Sequence, residues 1–514
     1  NFIKEYFYIN NNQVIVLVLI SLLLIFIIKN TLIVMFVKWQ QNFLNHFDIY
    51  ISDRLFTYYI SQPYEKYLLK NSSIYVRNLT VETSNFKGAL QLLMVLISEG
   101  VIIISIGGFL LFFNPIISLI IFAIILLICS FYFVGPVNNF LKKISEKRLL
   151  FANKYTKFLI QGLASFREIR VYHSEDQARF DHYSNKKKVN DLYRHLVVVN
   201  AIPRHLFEVI TFLLLGSYIS YFALNDKNLL EIIPTIGIYL VAAYKIIPSS
   251  VKILNSINTF KFLSASINYI HQELKSAKKI KNNIKDKNIT DTFKYLEFKN
   301  VSFRYLNTKK YVFRNISLKF KRGEIIGLKG ESGSGKSTLI NLMLGLLDPT
   351  SGKILVNSKN LNFIKNSWLK LVSYVPQNVF IADSNIFKNV AFGKKNSEIN
   401  RSKLITLLKK LNIFRDIKSK GLNRNLGERG TFFSGGQVQR MVFARALYKD
   451  PSVIFFDEAT NGLDEKNEKN IFKLLLRLKD KKTLFISSHN QNLLNICDYV
   501  LELKSGKIIK KIKQ

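Results

Sequence analysis

The chain has 514 residues, enough for two or more domains, and carries Lys+Arg 74 against Asp+Glu 35 for a net charge of +39. Lysine is spread along the whole length and no basic stripe carries interleaved aromatics, so the charge is read as a compositional bias and no nucleic-acid partner is expected. Two cysteines, Cys129 in an apolar run and Cys497 in the polar half, exclude a disulfide framework.

Position 1 is Asn rather than Met and no signal peptide precedes it, so the sequence is read as lacking its N-terminus. A membrane span needs roughly 20 mostly apolar residues. Five segments meet that length: Val14–Val37, Gly88–Phe113, Ile116–Val134 after an Asn114-Pro115 turn, about Val198–Leu224, and Ile232–Leu254. Lys and Arg gather in two long connections, 38–87 and 136–202, the latter with about thirteen of them. The connections at Asn114-Pro115 and Asn225–Glu231 are short, with Lys227 alone basic. The expected orientation therefore puts both long loops, and everything after the fifth span, in the cytoplasm. Residues 266–293 are rich in Lys and Asn and are expected to leave the membrane as a helix, then become a solvated linker between a transmembrane domain at 1–265 and a soluble domain at 294–514.

In that soluble half, "EIIGLKGESGSGKSTLINLML" predicts a strand, a glycine-rich loop and a helix. Gly330, Glu331, Ser332, Gly333, Ser334, Gly335, Lys336, Ser337 and Thr338 form the loop and the helix start. Backbone N–H groups there can curl around phosphate oxygens, Lys336 can reach the β- and γ-phosphates, and the Ser337 hydroxyl can hold Mg²⁺. Downstream, "SVIFFDEAT" is a buried strand ending in two carboxylates, Asp457 for the Mg²⁺ and Glu458 to polarise an attacking water. In "FSGGQVQR", Ser434, Gly435, Gly436 and Gln437 open a helix and offer N–H groups to an anion.

Taken with Gln377 in "YVPQ", Asp464 in "NGLD", His489 in "SSH" and Tyr305 in "VSFRY", these motifs stand in the order and spacing of an ABC-transporter ATPase domain, which the chain resembles over about 220 residues. The resemblance implies a fold of an all-α transmembrane bundle followed by an α/β P-loop NTPase domain, with ATP and Mg²⁺ as cofactors. It implies that Tyr305 stacks on adenine, that Gln377 senses the γ-phosphate and the Mg²⁺, and that His489 contacts the γ-phosphate. It implies that Ser434 and Gly436 reach the nucleotide held by a second copy, which requires a homodimer. "LGERG" at 426–430 resembles a loop of exporters rather than importers. Three departures stand out: Phe433 before "SGGQ", Asn461-Gly462 where Ser-Ala is usual, and Asn490 after the histidine. None removes a group expected to touch phosphate or metal, so an active ATPase is expected.

Exporters of this kind have six spans per half, so the expectation is that a first span is missing here; a native five-span protein is the alternative. The spans are counted as holding five ionisable residues: Lys29, Glu99, Arg204, Glu208 and Lys245. Such groups normally face a bundle interior or a watery cavity. At 1.5 Å per residue, Lys29 and Lys245 lie about 23 and 20 Å below the outer ends of their spans. With Arg204 they form a set of cations in the inner half of the bilayer. They can receive an anionic head group; alternatively Arg204 snorkels, or the lysines pair with Glu99 or Glu208. "AIPRHLFEVITF" at 201–212, "AAYKIIPS" at 242–249 and "SFREIRVYHSE" at 165–175 resemble segments of bacterial lipid-linked oligosaccharide flippases and related polysaccharide exporters. That resemblance implies an inner-membrane exporter of a polyprenyl-pyrophosphate sugar. The rivals are export of a peptide, lipid A or a drug, and a non-transporting regulator of the same class.

Overall fold

The computed structural model describes residues 11–134, 136–224, 229–281, 292–460, 464–504 and 506–512. The Asn461-Gly462 departure, linker residues 282–291 and Lys227 lie outside the described residues, as does the Cys129 side chain. The chain divides into two units, one of residues 1–62 with 70–282 and the other of 63–69 with 283–514.

The first unit is helical. In chain order the helices are α1 (Asn11–Ile60), α2 (Tyr64–Leu69, which packs with the second unit), α3 (Ser72–Arg77), α4 (Thr83–Phe113), α5 (Pro115–Val134), α6 (Pro136–Ala164), α7 (Phe166–Val171), α8 (Glu175–Leu224) and α9 (Leu229–Lys281). A π-helical turn at Asn78–Glu82 joins α3 to α4. Among the described residues four helices are long and apolar enough to cross a membrane. They carry four of the five expected spans. The fifth falls in α5, where the described apolar stretch is Pro115–Ile124.

The connections expected as long loops are mostly helix. α1 runs on through Val37 to Ile60, α6 fills 136–164 and α8 begins at Glu175. Hydropathy misses this because the extensions are polar overall. Their apolar residues still recur at helical spacing: Leu44, Ile51, Leu55 and Tyr59 on α1, and Leu141 with Ile144 on α6, are all buried.

The extensions also bury charge. Glu82 lies between Arg77 (3.5 Å) and Arg148 (3.6 Å), and all three side chains are at most 1 % exposed. Arg77 further donates to Leu149 O (3.2 Å) and Asn78 Oδ1 (2.9 Å), and Arg148 to Ser266 Oγ. Asn85 Nδ2 donates to Glu82 Oε2 at 3.1 Å. One cluster thus ties α3, α4, α6 and α9 around the π-turn. Arg77 Nε, Glu82 Oε1 and Arg148 Nε are buried without a hydrogen-bond partner, so the cluster leans on the attraction of two guanidinium groups for one carboxylate.

The second unit is α/β. Strands β1 (Tyr295–Phe303), β2 (Phe313–Lys321), β4 (Ser351–Val356) and β5 (Lys359–Asn360) form an antiparallel sheet in the order β2-β1-β4-β5. The larger sheet has the order β10-β9-β3-β8-β7-β6, with β3 (Ile325–Gly330), β6 (Val372–Val375), β7 (Val453–Asp457), β8 (Thr483–Ser487), β9 (Tyr499–Lys504) and β10 (Lys507–Ile512). β3, β6, β7, β8 and β9 pair in parallel. β7 and β8 are buried at every position, as continuous apolar runs in a covered parallel sheet should be. Helices α10 (Lys336–Leu344), α11 (Lys365–Leu371), α12 (Ile386–Val390), α13 (Arg401–Lys410), α14 (Phe414–Lys420), α15 (Gly435–Tyr448), α16 (Glu465–Leu478) and α17 (Gln491–Leu494) complete the unit. In a parallel sheet functional groups collect beyond the strands' carboxyl ends. Here β3, β8, β7 and β6 are neighbours, so their carboxyl ends open onto one place.

Candidate nucleotide-binding site

The glycine-rich loop leaves β3 and enters α10. A side chain at Gly330 would bring Cβ within 2.5 Å of Ser334 Oγ and 2.7 Å of Leu503 O, and Gly335 has φ +103°. Both positions therefore require glycine. The loop closes on Lys336, whose side chain is 7 % exposed. Its ammonium donates to Gly330 O at 2.6 Å and Glu331 O at 3.3 Å. Ser334 Oγ is buried without a hydrogen-bond partner. An orphaned hydroxyl, a buried cation and two glycine positions that reject a Cβ fit a phosphate chain.

β7 and β8 supply the opposite wall. Lys336 Nζ is 3.9 Å from Glu458 Oε1 and 3.2 Å from His489 Nε2, and His489 Nε2 is 3.5 Å from Glu458 Oε1. Gln377, just beyond β6, donates from Nε2 to Glu458 Oε2 at 2.7 Å. Glu458 has φ +49°, and its N–H donates to Ser487 O at 2.9 Å, which turns its carboxylate away from the direction of β7. Lys336, Gln377, Glu458 and His489 thus meet at one point. Asp457 is 5 % exposed, and burial raises its carboxyl above the ordinary range against the opposing pull of the Ser337, Ser487 and Tyr374 hydroxyls. A divalent cation at Asp457 and Ser337 would remove that cost. The donor set is the hard oxygen chemistry that Mg²⁺ takes.

Tyr305 lies on the far side of the loop, half-buried, its Oη 2.9 Å from Thr338 Oγ1. Ser434, Gly435, Gly436 and Gln437 open α15 with a reciprocal cap: Ser434 N–H donates to Gln437 Oε1 (3.0 Å) and Gln437 N–H to Ser434 Oγ (3.3 Å). Gln437 Nε2 donates on to Asp416 (3.1 Å). The hydrogen bonds of this group run to each other and to α14, not to Lys336. Asp464 caps the start of α16 and accepts from Asn467 at 2.5 Å. Of the departures, Phe433 packs against the core and Asn490 donates to Glu468 Oε1 at 2.6 Å.

The helical unit places the expected cations differently from one another. Arg204 donates to Glu208 on its own helix at 2.9 Å. Lys29 Nζ lies 4.7 Å from the Phe26 ring centroid and Lys245 Nζ 5.8 Å from that of Tyr244. Glu99 accepts from Lys252 at 2.6 Å. The count of five ionisable residues in the spans passes over Lys252, which falls within Ile232–Leu254 and is the partner of Glu99. Two further residues escape the sequence reading. Tyr374 Oη donates to Asp457 Oδ2 at 3.3 Å, and its place in "YVPQ" before Gln377 was the available signal. Glu65 Oε1 accepts from Leu306 N–H at 2.8 Å, 241 residues away, and no local pattern could announce it.

Residues 313–461 match the family model described as ABC transporter. The chain is 34% identical over 218 residues to ABC transporter B family member 21 of Arabidopsis thaliana, covering 42% of this chain but only 17% of that protein. It is 25% identical over 478 residues to ATP-dependent lipid A-core flippase 1 of Colwellia psychrerythraea, covering 90% of this chain and 78% of the relative. The fold matches the structure of a bacterial Atm1-family ABC exporter with ATP bound, at TM-score 0.77 and 18% identity over 94% of this chain and 85% of that one. Residues 313–461 therefore resemble an ABC transporter domain, and the chain as a whole shares the fold of that solved exporter.

Proposed function

We propose that the chain is one half of a homodimeric inner-membrane exporter. Its cargo is an amphipathic anionic lipid, a polyprenyl-pyrophosphate-linked oligosaccharide or a related polysaccharide precursor. The observation that carries the ATPase half of this reading is the meeting of Lys336, Gln377, Glu458 and His489 beneath the Gly330–Gly335 loop. Bound MgATP supplies the phosphoanhydride bond, with the metal withdrawing charge from it. The chain's own groups do the rest. Lys336 and the loop N–H groups hold the phosphates, and Ser337, Asp457 and Gln377 hold the metal. Glu458 orients a water and accepts its proton, and His489 steadies the terminal phosphate. Ser434 to Gln437 complete the site of the second copy, and Asp464 lies at its edge.

The cargo reading is supported by the segments around Arg204, Lys245 and Phe166. It is also supported by a hollow of about 460 Å³ lined by Lys245 with Ile106, Phe109, Gly237, Ile238 and Val241. A cation on an apolar wall suits an anionic head group with a lipid tail. The salt bridge to Glu208 makes Arg204 the weakest of the three cations for this role; Lys29 and Lys245 carry it. The relative named as a lipid A-core flippase favours a second reading, a different anionic lipid at the same cations. Reconstituted protein tested with labelled pyrophosphate lipids, lipid A and neutral lipids separates the readings. The proposal expects ATPase stimulation and transbilayer movement by the pyrophosphate lipid, lost in Lys245→Ala; equal response to neutral lipids overturns it.

A further inference from the structure

Helix α2 is six residues long and packs with the ATPase domain, although the chain on either side of it belongs to the helical unit. Two contacts help to seat it. Tyr64 packs against the hydrophobic core that contains Phe303 and Phe313. Glu65 Oε1 accepts the N–H of Leu306 at 2.8 Å. Leu306 follows Tyr305 directly, and its own side chain is 62% exposed, so its backbone and not its side chain fixes its place.

Around Tyr305 the other restraints are few. Its ring meets Phe303 edge-on at 5.0 Å, its hydroxyl reaches Thr338, and its carbonyl accepts from Thr308 in a turn. The strand end is held as well, since Thr350 Oγ1 accepts from Arg304 N–H at 3.1 Å and Phe303 O from Val312 N–H at 2.8 Å, but none of these bonds reaches the Leu306 backbone. The bond from Glu65 reaches the backbone directly after Tyr305, and it comes from α2. A backbone N–H held by a carboxylate is a strong, directional contact.

We propose that Glu65 is a positioning residue for the nucleotide base: it fixes the Leu306 backbone and through it the angle of the Tyr305 ring. The inference rests on Tyr305 as the base platform. Its consequence is reciprocal. If a seated α2 improves base stacking, base stacking favours a seated α2 by the same factor.

The test compares affinity for ATP with affinity for inorganic triphosphate, which has no base. Full-length protein carrying Glu458→Gln, so that nucleotide is not consumed, is measured by equilibrium dialysis alone and with Glu65→Ala, Glu65→Gln or Tyr305→Ala added. The expected result for Glu65→Ala is a loss of ATP affinity of about three- to tenfold with triphosphate unchanged. Glu65→Gln, which keeps an accepting oxygen, restores it. ATP affinity unchanged in Glu65→Ala while Tyr305→Ala weakens it overturns the inference and leaves the base platform standing. An equal loss of ATP and triphosphate in Glu65→Ala overturns it as well. No effect of Tyr305→Ala on ATP relative to triphosphate overturns the platform itself.

Discussion

Gln377 Nε2 donates to Glu458 Oε2 across 2.7 Å, so the residue expected to sense the metal holds the residue expected to activate water. The same carboxylate is within 3.9 Å of Lys336 and 3.5 Å of His489 through its other oxygen. A carboxylate so surrounded stays aimed, which is what a water-orienting base needs. Glu458→Gln keeps the shape and loses the base. Steady-state hydrolysis is expected to fall by roughly 10²–10⁴-fold while ATP still binds. Parallel turnover and filter-binding assays check this, and normal turnover would remove Glu458 from its role.

Tyr374 Oη donates to Asp457 Oδ2 at 3.3 Å, on the carboxylate expected to hold the metal. Tyr374→Phe deletes one donor from a buried carboxylate that already bears the cost of burial. The Mg²⁺ concentration for half-maximal ATP binding is expected to rise about three- to tenfold with little change when Mg²⁺ saturates. A Mg²⁺ titration at fixed ATP gives the answer; an unchanged midpoint contradicts the account.

The raised carboxyl of Asp457 also fixes the sign of a pH effect. A carboxyl held above its unfolded value favours the protonated fold, so without metal this group stabilises the domain as pH falls toward the ordinary range near about 3.9. Metal needs the carboxylate. The rise in melting temperature given by MgATP should therefore shrink as pH falls from neutral toward the ordinary carboxylate range. A rise that stays constant across that window counts against the assignment of Asp457.

Gly330→Ala places a methyl 2.7 Å from a backbone carbonyl, Leu503 O, which cannot rotate aside as a side chain can. The loop must shift and its N–H groups lose their aim. ATP binding should fall at least about tenfold, with the melting temperature of the nucleotide-free protein changed far less. A thermal-shift assay with and without ATP separates the two.

Glu82 is the anion between Arg77 and Arg148. Its removal by Glu82→Ala leaves two buried guanidinium groups facing one another. The expected cost is about 3–5 kcal/mol, read as a lower melting temperature of the detergent-solubilised protein. Replacing all three residues with apolar ones should recover most of that loss. If the single and triple variants melt alike, the charges are not coupled.

The nucleotide site was legible because its chemistry is local. Gly330–Ser337, Asp457-Glu458 and Ser434–Gln437 are each read within ten residues, and the strand–loop–helix context comes with them. The span cores were legible for the same reason, since a run such as Val14–Val37 declares itself by composition. What escaped depends on distance in sequence or on mixed patterns. The helical extensions at 38–60 and 136–164 carry Lys, Asn and Tyr among spaced apolar residues, so hydropathy read them as loops. The Arg77–Glu82–Arg148 cluster, the Glu99–Lys252 pair and the Glu65–Leu306 bond each join segments far apart along the chain.

The central claim is that Lys336 of one copy and Ser434 of another enclose the same ATP. It is tested by mixing two full-length variants, Lys336→Ala and Ser434→Ala, and measuring ATP retained after washing and photolabelling. Neither variant alone has an intact site. The mixed pair has one, built from Lys336 of the Ser434→Ala copy and Ser434 of the Lys336→Ala copy. The account predicts that label appears on the Ser434→Ala chain only after mixing; label that never appears, or that appears without the second variant, contradicts it.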